Sequence, residues 1–258
     1  MIIGAQLYTV RNACQTPEGL AETLRRVADM GYTTVQLSGT CDYDGDWMRE
    51  QLDRTGLSAP ITHYKYERIV NETEATIALH DKIGAKYIGL GGMPGLWNPA
   101  FSQSMYEDFM TAILPAAKKI AAAGHKFMYH NHNREFMRFD DGRTMFEHLL
   151  ERTDPADFGI TMDFYWVQMA GADPMAWARR CAGRIDCVHF KDMSFSPADG
   201  ATRMAAVGDG NMNLDGILAA CEDAGAKYFF VEQDNCYDDD PFDCLRRSYL
   251  CLRAHGLQ

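Results

Sequence analysis

The sequence predicts an α/β fold, a single (β/α)8 barrel of the TIM type spanning residues 1–258, on three observations. Eight short apolar runs rich in aromatic and β-branched residues alternate with helix-type periodicity, with no linker or low-complexity break between them. One helix closure recurs, in ADMGYTTVQL, KIGAKYIGL, AAAGHKFMY and EDAGAKYFFVE, placing a glycine where each helix turns into a strand. Four runs in the second half end abruptly in polar side chains: KFMYHNH at His130 and His132, DFGITMD at Asp163, RIDCVHFKD at His189 and KYFFVEQ at Glu232. In a barrel, strand ends on one face supply the active site.

The elements follow in order. Ile2 to Tyr8 reads as the first strand, and Thr16-Pro17 caps a helix that stops at Gly31. Tyr32 to Leu37 is the second strand, with a helix from Trp47 to Arg54. Leu57 to His63 is the third, with a helix from Glu67 to Ile83 closed by Gly84. Lys86 to Leu90 is the fourth, followed by a helix from Ser104 to Ala123 in which Pro115 is expected to introduce a kink. Lys126 to His132, Asp157 to Asp163, Arg184 to Phe190 and Lys227 to Glu232 complete the strands. Helices are predicted at Thr144–Arg152, Pro174–Arg180, Leu214–Ala224 and Pro241–His255. An open doubly wound sheet would normally carry a glycine-rich phosphate turn after its first strand, and QLYTVRNA has none.

Composition narrows the function. A net charge of -11 disfavours a polyanionic partner, so no nucleic acid is expected. No apolar run approaches the roughly 18 residues of a membrane span, and no signal-peptide pattern opens the chain, so a cytoplasmic protein is expected. Eight cysteines without a CxxC pair read as reduced thiols, several of them core-filling. The sequence leaves self-association into a homo-oligomer open.

Alternation along the fifth strand lets His130 and His132 face the same way. One or two imidazoles with two carboxylates suit a divalent Mn²⁺, Co²⁺, Fe²⁺ or Zn²⁺ ion better than Ca²⁺. Any one of these residues alone is more often a cap or a hydrogen-bonded core group; four on successive strands reverse that balance.

The motifs YHNHNREF, TMDFYW, VHFKD, VGDGNMNLDGI and FVEQD, with the opening GAQLYTVR, resemble in this order the xylose isomerase-like barrels classed as sugar phosphate isomerases and epimerases. The resemblance covers essentially the whole chain. It implies a small-molecule sugar substrate and a divalent metal on His130, Asp163, His189 and Glu232. It also implies chemistry that moves a proton next to a carbonyl through a metal-stabilised enediolate. One departure stands out: the epimerases are expected to carry a second glutamate where this chain has His130. A two-base epimerisation then needs His132 or another group as second acid. Members with histidine here look closer to lyases that eliminate water or an aglycone from keto-sugars or inososes. Glu135 lies past the strand and reads as a loop anchor.

The physical roles stand apart from the name. Glu232 is expected to ligate metal and act as base, with His132 as a second acid–base group and Lys191 donating to a developing oxyanion. Tyr8, Gln36, His63 and Trp166, at or just beyond strand ends, are candidate substrate contacts. Gly91-Gly92 and Gly208-Asp209-Gly210 offer backbone N–H groups to a phosphate, although ordinary turns read the same way.

Overall fold

The structure is a computed structural model describing all 258 residues. Eight parallel strands close a barrel in chain order: β1 (Ile2–Gln6), β2 (Thr34–Leu37), β3 (Ser58–Tyr64), β4 (Tyr87–Leu90), β5 (Lys126–His130), β6 (Phe158–Asp163), β7 (Cys187–Phe190) and β10 (Tyr228–Val231), which pairs with β1. Between β7 and β10 the chain makes an antiparallel hairpin of β8 (Asp192–Phe195) and β9 (Thr202–Ala205), which the sequence reading missed. The helices around the barrel are α1 (Pro17–Asp29), α2 (Gly45–Thr55), α3 (Tyr66–Asn71), α4 (Thr73–Ile83), α5 (Gln103–Ala122), α6 (Met145–Arg152), α7 (Phe164–Met169), α8 (Pro174–Arg180), α9 (Leu214–Asp223) and α10 (Pro241–Ala254).

Strand residues pack both ways, which is why the runs are continuously apolar. Outward side chains such as Ile88, Tyr129, Val188 and Phe229 join the layer beneath the helices. Inward ones, Ile61, Tyr87, Met128, Cys187 and Phe230, plug the barrel floor. Below that floor Asp186 takes ion pairs from Lys126 at 3.1 Å and Lys227 at 2.6 Å. The plug leaves the opposite mouth to polar side chains.

Two differences from the predicted elements shape that mouth. The first strand ends at Gln6, whose side chain accepts from Tyr8 N at 2.7 Å and starts a 3-10 turn over Leu7–Ala13. The helix expected over residues 67–83 breaks at Glu72 into α3 and α4; the Thr73 hydroxyl bonds the Ile69 carbonyl at 2.7 Å, satisfying an acceptor at the break. As predicted, α5 runs as one helix through Pro115, its buried face continuing through Ile113, Ala116, Ala117 and Ile120. At Gly89 a β-carbon would lie 2.2 Å from the Thr62 carbonyl oxygen and 2.6 Å from His63, so this strand position admits only glycine.

Candidate metal centre and active site

The C-terminal ends of β5, β6 and β7, with the residue after β10, bring His130, Asp163, His189 and Glu232 together. One ligand atom from each lies within 4.8 Å of all the others, and all four residues are buried. These far-apart residues meet because the β6–β7 register sets Asp163 beside His189, while that of β10 with β7 carries Glu232 to the same rim.

Both imidazoles are held from behind. His130 Nδ1 donates to the Gly91 carbonyl at 3.2 Å, which turns Nε2 toward Asp163 Oδ2, also at 3.2 Å. His189 Nε2 donates to Gln36 Oε1 at 2.5 Å, which leaves Nδ1 as the unprotonated nitrogen. That nitrogen is 2.9 Å from Glu232 Oε2, yet neither atom has an aligned hydrogen-bond partner. A lone pair facing a carboxylate oxygen, both out of water, is the arrangement a cation between them resolves. Gln6 Nε2 holds the other Glu232 oxygen at 2.9 Å. Asp163 Oδ1 caps α7 at Trp166 N, and Asn131 brackets the Asp163 backbone, donating to its carbonyl and accepting from its N–H at 3.0 Å.

Charge points the same way. The Lys191 ammonium lies 3.2 Å from Asp163, 2.8 Å from Glu232 and 2.5 Å from Asp234. Three carboxylates against one ammonium leave two negative charges, which a divalent cation would neutralise. Burial raises the Glu232 carboxyl, but Lys191 and His189 override it and hold it well below the usual carboxylate range. Burial, then the charge of Glu232, pushes the Asp234 carboxyl up despite the Lys191 ammonium beside it. Burial would lower His130, but the hydrogen bond and charge of Asp163 raise it. Burial lowers His189 despite Glu232. Burial and the neighbouring imidazoles hold His63 and His132 well below the ordinary histidine value, so both are neutral.

The predicted substrate contacts divide. A cavity of about 870 Å³ opens over the cluster, and Tyr8, His63, His130, His132 and Glu232 line it. β5 ends at His130, two residues short of its predicted end, so His132 lies in the following loop, where its ring is still 4.6 Å from that of His130. Trp166 packs against His132 at 5.4 Å. Gln36 is fully buried behind His189 and does not line the cavity. Lys191 is likewise buried and does not line the cavity; its ammonium donates to Asp234 and lies within ion-pair distance of Asp163 and Glu232. The 208–210 loop is closed to phosphate because Asp192 takes its N–H groups: Gly208 N and Gly210 N bond Oδ2 at 3.0 and 3.1 Å. Glu135 anchors its loop, accepting from Tyr129 Oη at 2.7 Å and His132 N at 2.9 Å.

Several site residues escaped the sequence reading. Trp97, 53% exposed on the loop after β4, sits 5.2 Å from His132 and 6.3 Å from Trp166 and walls the cavity mouth. Tyr43, Tyr64 and Arg68 form its far side. An exposed aromatic in a glycine- and proline-rich loop was the available signal for Trp97.

A closed parallel barrel with imidazoles and carboxylates gathered at the carboxyl ends of its strands is the scaffold of an enzyme that uses this one mouth. The chain belongs to the xylose isomerase-like TIM barrel family, whose model matches residues 24–247. It is 24% identical over 262 aligned positions to an inosose dehydratase of Lacticaseibacillus casei, covering 87% of this chain and 85% of that one. It is also 24% identical over 193 positions to an inosose dehydratase of Geobacillus kaustophilus, covering 67% of this chain and 61% of that protein's length. Among solved structures, a sugar phosphate isomerase/epimerase from Parabacteroides distasonis superposes with a TM-score of 0.79 at 20% identity, over 98% of this chain and 93% of that one.

Proposed function

We propose that the protein is a metal-dependent sugar isomerase acting by proton transfer next to a carbonyl. The observation that carries this reading is the meeting of His130 Nε2, Asp163, His189 Nδ1 and Glu232 at one buried point, with Nδ1 and Oε2 2.9 Å apart and not hydrogen-bonded to each other. These four residues would hold a Mn²⁺, Co²⁺, Fe²⁺ or Zn²⁺ ion. Such an ion supplies Lewis-acid stabilisation of the negative oxygen that appears when the adjacent C–H loses its proton.

The chain's own residues handle the proton. Glu232, ionised and fixed by Gln6 on one oxygen, serves as base on one face of the substrate. His132 is neutral and its Nδ1 lacks a partner, so it can accept a proton at one nitrogen while donating from the other. That property suits passing a hydroxyl proton between the two oxygens of an enediolate. Tyr8, His63 and Trp97 line the cavity where the sugar ring would lie, with aromatic faces for its C–H side, and Trp166 backs His132 and Trp97. A carboxylate on one face only suits isomerisation better than inversion at a carbon.

A second reading, a lyase removing water or an aglycone from a keto-sugar or inosose, is favoured by His130 standing in place of a second carboxylate. Product mass after incubating keto-sugars in deuterated water separates the two. Deuterium uptake with unchanged formula supports isomerisation, whereas loss of water or an aglycone supports elimination. Neither change with any keto-sugar in the metal-loaded protein contradicts both.

A further inference from the structure

The cavity reaches well beyond the four donor residues. Its volume of about 870 Å³ falls near the top of the roughly 300–1,000 Å³ span of small-molecule sites, and one six-membered sugar ring beside Glu232 and His132 takes up only part of it. The remainder is an arm built by the chain after β2, the end of β3 and helix α3. Tyr43 and Tyr64 meet there through their hydroxyls at 2.7 Å. The Arg68 guanidinium stacks on the Tyr64 ring at 4.1 Å from its centroid, fixing that ring in place. Burial raises both tyrosines, so both stay protonated: one hydroxyl donates to the other, and the second is left to donate to a ligand.

The charges lining the arm decide what it suits. Asp42 and Glu72 stand against Lys65 and Arg68, two of each sign. A phosphate or carboxylate would meet those two carboxylates as well as the cations, so the arm has no unopposed positive field to attract an anion. It does have aromatic walls with hydroxyl tips, flanked by both donors and acceptors. These are the groups that bind a neutral ring rich in hydroxyls, with its C–H face on tyrosine and its edges on charged side chains.

Resting on the reading that a sugar ring sits beside Glu232 and His132, we infer that the substrate is a two-ring glycoside. Its reacting ring lies at the donor cluster and its second, neutral hydroxylated ring lies in the arm of Tyr43, Tyr64 and Arg68.

Calorimetry on the Mn²⁺-loaded full chain tests this with α- and β-linked glucobioses, D-glucose, glucose 6-phosphate and phenyl β-D-glucoside as probes. At least one glucobiose should bind about tenfold or more tightly than D-glucose, and in Tyr64→Ala the ratio of those two affinities should collapse to about one. Arg68→Ala, an α3 change on the cavity rim, should shrink the same ratio and serves if Tyr64→Ala does not fold. Glucobioses that bind no better than glucose overturn the inference. So does glucose 6-phosphate as the tightest probe, which would make the arm an anion site, or phenyl glucoside as the tightest, which would make it an apolar one. Failure of the underlying reading looks different: glucose affinity unchanged in His132→Gln would put the reacting ring somewhere else altogether.

Discussion

Replacing Gln36 by leucine should weaken metal binding although Gln36 touches neither cation nor substrate. Its Oε1 accepts the Nε2 proton of His189 at 2.5 Å, and this bond keeps the His189 Nδ1 lone pair aimed between Asp163 and Glu232. Leucine is close in size but accepts nothing, so the buried N–H loses its partner and the imidazole can put its proton on Nδ1 instead. Loss of an outer partner of a metal-bound histidine costs about 10- to 100-fold in affinity, or about 1.4–2.7 kcal/mol. Competition for Co²⁺ between the protein and a chelating dye measures this directly, with a thermal melt of the metal-free protein as folding control. A folded Gln36→Leu protein that binds Co²⁺ as tightly as wild type would refute the claim that Gln36 sets the His189 tautomer.

Three other outcomes follow from the same geometry. Asp163→Asn and His189→Ala should each lose bound metal by elemental analysis; normal content in both variants would remove the cation from this cluster. His132→Gln should keep its metal while turnover on a responsive sugar falls by about 10²- to 10⁴-fold, the usual worth of an acid–base group, and undiminished turnover would free His132 of that role. His80 is buried, bonded to the Thr62 hydroxyl at 2.9 Å, and burial lowers it from 6.5 to about 4. The unfolded chain therefore takes up this proton first: stability from this residue is full above about pH 6.5 and drains away as pH falls toward 4, by at most about 3 kcal/mol. Denaturant melts of wild type and His80→Gln across that window check it, since the variant should lack this part of the slope.

The barrel and the four-residue cluster were legible because both are periodic. Parallel strands buried on both faces must be apolar throughout, so a polar residue at the end of a run marks the rim where packing stops. Asp163, His189 and Glu232 carried that mark. Gln36 carried it too, yet it faces the back of His189 and not the cavity, because strand position gives depth in the barrel but not which neighbour a side chain meets. The surroundings of Lys191 were equally hidden: only in three dimensions do three carboxylates converge on its ammonium. The β8–β9 hairpin was hidden by two short strands with no continuous apolar run, and Tyr43, Tyr64 and Arg68 by their separation among three unlike segments.

The proposed chemistry requires one divalent cation among His130, Asp163, His189 and Glu232. Anomalous diffraction from crystals grown with Mn²⁺ would locate that ion. A single strong anomalous peak within bonding distance of His130 Nε2, His189 Nδ1 and the two carboxylates is the predicted result. Density showing those four side chains bonded only to one another, with no peak between them at saturating Mn²⁺, would contradict it.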